Sequence, residues 1–283
     1  MHLDAAYGMC ATGLPWRLRC GPLRVALNLL DGGPPGRHWN EAGDGPADLL
    51  VDLEFTADKA TEGPPRATGL AGVQSTLDGQ RCTGHVDWSQ GRAHLRLATQ
   101  AADGPERIQT VAEAVTLVCS AWVWRLGGVL VHAAALAWPD GAVLVAGNSG
   151  AGKTTLARRF SNLSMAQDMV FVVPQGEAWQ LWRSSEYSAV PANAPLISPL
   201  RAVYDFGSSR SQTRLEPLGL GEAVAALLPQ VVMPELFGNS ADLSRRLLDA
   251  PFDLVRALGA GRFHHSLVDP DDRALAVLRQ GWR

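Results

Sequence analysis

The amino-acid sequence predicts an α/β protein in which a smaller β-rich domain precedes a larger domain of mixed strands and helices. Two observations carry this prediction. Short strand-like runs separated by turn residues fill the first hundred residues. An apolar run, a glycine-rich loop and a helical run then follow one another around residue 147. At 283 residues the chain is long enough for about two domains, which we expect at residues 1–105 and 106–283.

The elements of the first domain follow from alternating apolar residues bounded by turn formers. We expect strands at residues 15–20, 23–30, 48–55, 81–88 and 93–98. The Gly- and Pro-rich segment 32–46 predicts a loop, and residues 101–105 a linker. A buried helix is expected at 108–126, closed by Gly127 and Gly128. In the last third we expect strands at 170–173 and 202–206, and helices at 220–232 and 241–258.

Residues 147–154 match the phosphate-binding pattern G-x-x-x-x-G-K-[ST]. An apolar run at 142–146 precedes the loop and a helical run at 154–160 follows it, which is the context that the pattern requires. Glycine permits the backbone angles by which several N–H groups converge on an anion. The nucleotide-binding residues are therefore expected to be Gly147, Asn148, Ser149, Gly150, Ala151, Gly152, Lys153, Thr154 and Thr155.

Two side chains of this loop carry the chemistry of a phosphate site. Lys153 is expected to reach the β- and γ-phosphates, and the Thr154 hydroxyl to ligate magnesium. The chain has only two lysines, Lys59 and Lys153, and uses arginine for its other basic residues. A lysine retained in the loop indicates that this position needs a compact ammonium.

A hairpin is expected just before the loop, because apolar runs at 129–137 and 142–146 flank the turn signal Pro-Asp-Gly at 139–141. If Pro139 and Asp140 form the turn, Trp138 pairs with Gly141. His132 then lies across from Gly147, beside the phosphates. The alternative is that His132 is an ordinary core histidine.

Composition excludes several classes of function. A formal net charge of −3 gives no reason to expect a nucleic-acid surface. The four cysteines show neither C-x-x-C pairing nor metal-ligand spacing, which favours a reduced, cytoplasmic setting. No membrane span is expected, because Glu113 and Arg125 interrupt the most apolar stretch. The tandem His264 and His265, near three aspartates, are expected in a solvated loop rather than a metal site.

The hairpin and loop resemble the catalytic domain of bacterial HPr kinase/phosphorylase, and resemble still more the set of HPr-kinase-related proteins. In that family a histidine stands at the same distance before the loop, and His132 matches it. The family next has two adjacent aspartates before an apolar strand. Asp168 matches the second aspartate, whereas Gln167 stands where the first would be. The resemblance covers residues 128–206; a glutamate signature of the true kinases has no counterpart, since Pro199 holds the matching position.

The resemblance implies a PEP-carboxykinase-like fold for the second domain and ATP-dependent transfer of a phosphoryl group to a Ser or Thr hydroxyl of a protein or peptide. It implies catalytic roles for Asp168, His132 and Lys153, and magnesium on Thr154 and Asp168. Arg201 could contact phosphate, or be a surface or salt-bridge residue. Whether the chain acts alone, as a homo-oligomer or as a subunit of a complex stays open.

A second function of a different class is compatible with the same residues. Because Gln167 replaces an acid, the chain could bind ATP without transfer, as a switch, chaperone or assembly factor. We expect the β-rich first domain to recognise the partner or acceptor in either case.

Overall fold

The computed structural model describes residues 16–20, 22–29, 47–56, 66–68, 74–78, 82–98, 105–184, 194–208, 214–232, 241–268 and 272–282. Its described residues form a mixed α/β protein with two compact units. The boundary between the units falls between Ala121 and Trp122, inside the first helix.

The first unit is built on one mixed sheet. Strand order across it is β1-β2-β3-β7-β6-β5-β4, with β2 parallel to β3, β3 parallel to β7, and the other pairs antiparallel. The strands are β1 (Trp16–Cys20), β2 (Leu23–Leu29), β3 (Leu49–Thr56), β4 (Arg66–Thr68), β5 (Gln74–Asp78), β6 (Cys82–Asp87) and β7 (Arg92–Ala98).

The five strands predicted for this unit are confirmed, and each end lies within one residue of its expected place. The short strands β4 and β5 were not predicted. The predicted loop at 32–46 lies outside the described residues. So do residues 101–104 of the predicted linker, whereas Pro105 begins a helix.

The first helix, α1 (Pro105–Arg125), ends as its glycines predict. Gly127 adopts φ +80°, and its N–H donates to the carbonyl of Trp124 at 2.9 Å. The Gly128 N–H donates to the carbonyl of Val123 at 3.0 Å. Left-handed glycine at this position is a common way to satisfy the last carbonyls of a helix. No helix within the described part of the chain is long and apolar enough to cross a membrane.

The described residues of the second unit form a mixed sheet and four α-helices. Strand order is β11-β9-β10-β14-β13-β12-β8, and β16 pairs with both β14 and β15. The strands are β8 (Val129–His132), β9 (Ala134–Trp138), β10 (Gly141–Ala146), β11 (Ser164–Ala166), β12 (Met169–Gln175), β13 (Ala178–Arg183), β14 (Ile197–Ser208), β15 (Arg214–Pro217) and β16 (Phe263–Val268). The helices are α2 (Lys153–Arg159), α3 (Leu220–Leu227), α4 (Ala241–Leu258) and α5 (Asp272–Gln280).

Three strands of this sheet run parallel. β10 pairs with β14, and β14 pairs with β16, both in parallel register. Their carboxyl ends therefore meet at one edge, which in α/β sheets is the edge where ligands bind. Helices α2 and α5 bury one face of the sheet through an apolar cluster: Ala134, Leu136, Val143, Val145, Leu156, Ala157, Phe160, Ala202, Tyr204, Phe206, Ala274, Leu278 and Trp282.

The predicted hairpin is half right. Trp138 pairs with Gly141, and the register holds as far as Ala134 opposite Val145. The chain then changes partner at Ala133, and β8 pairs with β12 instead of continuing along β10. The prediction of one strand over 129–137 is therefore wrong, and His132 lies opposite Met169 rather than Gly147. Residues 129–131 are buried and apolar, so their side chains suit either pairing.

The tandem histidines also lie elsewhere than predicted. His264 and His265 belong to β16, between β14 and β15, and not to a solvated loop. Strand geometry sends their side chains to opposite faces, as expected for adjacent residues. His264 is buried and stacks on Tyr204, with 5.5 Å between ring centroids.

Candidate nucleotide-binding site

The glycine-rich loop begins where β10 ends, at the carboxyl edge of the parallel strands. Gly147, Gly150 and Gly152 have φ values of +141°, +80° and +100°, which side-chain-bearing residues rarely adopt. A Cβ atom on Gly147 would lie only 2.5 Å from the carbonyl oxygen of Phe206 on β14. This close approach requires glycine at the first position of the loop.

The middle of the loop is open to solvent. Asn148, Ser149 and Gly150 are exposed, and a Cβ atom built on Gly150 would meet nothing within 4 Å. The Ala151 N–H donates to the carbonyl of Asn148 at 3.1 Å, which closes the turn. Helix α2 starts directly after Gly152. The cradle is therefore shaped by backbone and has room above it for an anion.

The ammonium of Lys153 lies inside the loop. Although only 5% of Lys153 is exposed, its Nζ donates to the carbonyls of Gly147 at 2.6 Å and Asn148 at 3.1 Å. Burial lowers the pKa of Lys153 below its usual value, and the Asp168 carboxylate partly opposes that shift. Lys153 thus places a positive charge in the cradle, within electrostatic range of Asp168.

His132 and Asp168 form a pair at the same end of the sheet. Nε2 of His132 lies 2.9 Å from Oδ1 of Asp168, and both side chains are partly exposed. The switch at Ala133 causes this contact, because it places the end of β8 beside the start of β12. The next strand, β9, begins opposite Val145, two residues before the loop. The structure therefore brings together Lys153, Asp168 and His132, although not through the predicted pairing.

Gln167 precedes Asp168 and is buried, with 6% of its surface exposed. Asp168 and Gln167 thus differ in the group that each places on the exposed side of the site. Asp168 presents a carboxylate to it, whereas Gln167 points an uncharged amide into the protein. Position 167 is therefore not an open site for a ligand.

The hydroxyl groups of the loop begin helix α2. Thr154 is half-buried and Thr155 is exposed, both in the first turn. Among the residues that the structure describes, no three His, Cys, Asp or Glu side chains lie close enough to hold a metal ion. Thr154 and Asp168 are oxygen ligands of the kind that magnesium prefers, and they are too few to hold it without other ligands. These residues fit magnesium when phosphate oxygens or water complete its coordination.

Arg201 is not near the loop. It leads into the parallel part of β14, and its Nε donates to the carbonyl of Asp140 at 2.9 Å, in the β9–β10 turn. That turn is at the start of β10, and the loop is at its end, roughly 20 Å away at 3.3 Å per residue. The structure thus places Arg201 as a surface residue at the opposite edge.

A second pair at the loop edge was not predicted. Asp205 on β14 lies opposite Ala146, the last residue before the loop, and its Oδ2 is 2.9 Å from Nδ1 of His265 on β16. An aspartate closing the apolar run 202–204 was the available signal in the sequence. Nothing in that run says that β14 neighbours the strand that carries the loop.

Comparisons with known proteins add little to this geometry. No protein family matches the sequence, and no curated protein matches it. Among solved structures the chain is similar to the HPr(Ser) kinase/phosphatase from Coxiella burnetii, with 13% identity and a TM-score of 0.25 over 45% of this chain and 93% of the other. At that TM-score the residues themselves have to carry a functional proposal.

Proposed function

We propose that the chain is a nucleotide-binding protein of the HPr-kinase-like kind, which transfers the γ-phosphoryl group of ATP to a Ser or Thr hydroxyl of a protein or peptide. The observation that carries the proposal is the Lys153 ammonium, buried in a glycine cradle and within electrostatic range of the His132–Asp168 pair. A cationic cradle beside a carboxylate is the arrangement that phosphoryl transfer needs.

Each of these side chains has a distinct task in such a transfer. The loop N–H groups and Lys153 bind the phosphates and stabilise the charge that spreads over the transferring oxygens. His132 holds the Asp168 carboxylate in one orientation through its 2.9 Å contact. Magnesium, held by Thr154 and Asp168, would neutralise phosphate charge when bound.

A function without transfer is the second candidate, and Gln167 favours it. The resemblance places an acid at this position, and a buried amide cannot take a proton from an acceptor hydroxyl. Such a protein would bind Mg-ATP and act as a switch, chaperone or assembly factor. Both functions share nucleotide binding and differ only in transfer.

Two measurements made in sequence test the proposal. Calorimetry with Mg-ATP tests binding, and no heat at millimolar nucleotide would contradict both functions. Incubation with γ-labelled ATP and peptides encoded near the gene then tests transfer. Label on a peptide Ser or Thr supports the kinase, whereas binding without label supports the second function.

A further inference from the structure

The loop edge carries a His–Asp pair for which the functions proposed above have no role. Asp205 lies opposite Ala146, and His265 lies opposite Asp205, so the three residues cross three parallel strands at the same level. Neighbouring strands are ~4.8 Å apart, which puts the Cα of His265 roughly 10 Å from that of Ala146. The loop starts one residue beyond Ala146. At this separation, the His265 side chain can reach a molecule that binds beside phosphates held by the loop.

The direction of the hydrogen bond between His265 and Asp205 determines which imidazole nitrogen can accept a proton. Oδ2 of Asp205 contacts Nδ1 of His265 at 2.9 Å. Because an ionised carboxylate only accepts hydrogen bonds, this contact needs Nδ1 as the donor, and the neutral ring then has its lone pair on Nε2. Carboxylate contact at one imidazole nitrogen orients the ring and turns the other nitrogen away from the carboxylate.

The surroundings leave His265 able to meet a substrate. About a third of each side chain is exposed, 36% for His265 and 33% for Asp205. Glu216 on β15 lies opposite His265 and adds a second carboxylate to this row. The neighbouring His264 faces the other way, stacks on Tyr204, and has its Nε2 2.8 Å from the carbonyl of Gly281. Of the two histidines, therefore, His265 is the one that lies beside Asp205, on the face of the sheet away from Tyr204.

Phosphoryl transfer from this loop lacks an assigned proton acceptor. Gln167 cannot serve, and Asp168 already bonds His132 and interacts with the Lys153 charge. We propose that His265, oriented by Asp205, is the catalytic base that takes the proton of the acceptor hydroxyl. The inference rests on the proposed kinase function. It adds to that function a catalytic residue on β16, which pairs with β14.

The step balances as an in-line displacement. The O–H bond of the acceptor breaks, and its proton moves to Nε2 of His265, which becomes an imidazolium paired with Asp205. The acceptor oxygen forms a bond to the γ-phosphorus of ATP. The bond between that phosphorus and the β–γ bridging oxygen breaks, and ADP leaves with the electron pair.

The test compares four substitutions in the full chain: His265→Asn, His265→Ala, Asp205→Asn and Asp140→Asn. His265→Asn keeps an amide near the position of Nδ1 and removes Nε2; Asp205→Asn keeps the shape of the orienting residue and removes its charge. Asp140→Asn is the matched control, because it makes the same exchange at an exposed ion pair with Arg279 in the β9–β10 turn. The probe is γ-labelled ATP with a degenerate Ser/Thr peptide library.

We expect His265→Asn to lower kcat by about 10² to 10⁴-fold, the usual contribution of a general base, while the Kd for Mg-ATP stays unchanged. Asp205→Asn should lower kcat in the same direction, and Asp140→Asn should behave as wild type. Exogenous imidazole should restore part of the activity of His265→Ala, which a merely structural histidine would not permit.

Nitrogen NMR of the His265 ring gives a readout that needs no turnover. In the nucleotide-free protein we expect a protonated Nδ1 and an unprotonated Nε2, with the preference weakened in Asp205→Asn. Wild-type transfer that survives His265→Asn overturns the inference and leaves the kinase function standing. A wild type that binds Mg-ATP and labels no peptide overturns both.

Discussion

At the scale of single residues, the site depends on a lysine that the rest of the chain almost does without. Lys153 is one of two lysines in 283 residues, and its ammonium lies among the carbonyls of its own loop. Burial disfavours its charge, while Asp168 and a bound phosphate favour it. A bound phosphate would therefore give the Lys153 ammonium charged hydrogen-bond partners in place of neutral carbonyls, and this exchange would favour binding.

The first prediction concerns this charge. Lys153→Ala should weaken Mg-nucleotide binding by at least about tenfold, or about 1.4 kcal/mol, because the cradle loses its only ammonium. Arg158→Ala is the matched control, since Arg158 is an exposed cation on the same helix. Calorimetry on the three proteins checks both expectations. Equal losses in the two variants would mean that general charge, and not Lys153 itself, drives binding.

The second prediction concerns the two neighbouring positions before β12. Asp168→Asn should abolish transfer and leave the fold intact, because Asp168 is exposed and its loss removes the carboxylate that we propose to bind magnesium. If transfer needs an acid at position 167, Gln167→Asp should raise the rate or create it, whereas the rate should stay as in wild type if His265 is the base. Phosphopeptide formation measures the rate, and a thermal melt shows whether the buried acid is tolerated.

The outcomes of that pair discriminate between the two functions. If the wild type forms no phosphopeptide and Gln167→Asp does, the chain is a kinase-like protein that lost its activity through the residue at position 167. A clear wild-type rate that Gln167→Asp does not improve would show that the first aspartate is dispensable, as expected if His265 supplies the base.

At the scale of elements, the loop is held by the strand pair beneath it. The first loop glycine packs against the carbonyl of Phe206, so the position of the cradle follows the β10–β14 pairing. This packing couples the conformation of the loop to the stability of the parallel core.

The third prediction tests that coupling. Gly147→Ala should lower the free energy of unfolding by more than about 1 kcal/mol, because the added Cβ meets a backbone oxygen and the residue keeps a positive φ. Gly221→Ala, in α3 with no atom within 4 Å, should instead raise it by roughly 0.5–1 kcal/mol. Urea unfolding of both variants measures the difference. A neutral Gly147→Ala would contradict the close approach.

Helix α5 is tied to the parallel core by a buried tyrosine. The Tyr204 hydroxyl donates to the carbonyl of Leu278, and its ring lies in the apolar cluster under α5. Burial raises the pKa of Tyr204 well above its usual 10.0, with Arg262 partly opposing the shift.

The fourth prediction follows from that contact and its titration. Tyr204→Phe should lower the free energy of unfolding by about 1–3 kcal/mol, because the Leu278 carbonyl loses its buried donor. The raised folded pKa of Tyr204 means that this group ionises just above pH 10.0 only in the unfolded chain, so wild type loses the stability that Tyr204 contributes and the variant has no such contribution to lose. Urea unfolding at neutral pH and above pH 10.0 should show the gap narrowing. A constant gap would contradict the burial of the hydroxyl.

At the scale of the whole molecule, the chain combines a β-rich unit with a unit that holds every candidate site residue. We propose that the first unit recognises the acceptor or partner. Its sheet carries two ion pairs: Arg92 bonds the buried Asp52 at 2.9 Å, and the exposed Arg96 bonds Glu54 at 3.1 Å.

The fifth prediction separates the two units. Deletion of residues 1–100 should spare Mg-ATP binding, since no loop residue lies in the deleted part, and should abolish recognition of the partner. Calorimetry measures the first, and peptide labelling or partner capture the second. Full activity of the truncated chain toward its partner would assign the β-rich unit another role.

The sequence by itself determined the features that depend on neighbouring residues. Alternation located five strands of the first unit to within one residue, and a glycine pair located the end of α1. The strand, glycine loop and helix around residue 147 were predicted because positive-φ glycines and a helix start depend on local backbone geometry, whereas phosphate binding stays a prediction. The hairpin register was also local, since a tight turn sets which residues pair.

Only the tertiary structure decided which strand edges meet. Buried apolar runs can pair with several strands equally well. The residues near His132 therefore do not indicate that the chain changes its pairing partner at Ala133, or that His132 contacts Asp168, 36 positions away. The same holds for Asp205 and His265, 60 positions apart, and for Arg201, which the parallel pairing places at the far edge. Backbone pairing across a sheet depends on the packing of the whole unit, and that is why the loop could be predicted and its neighbours could not.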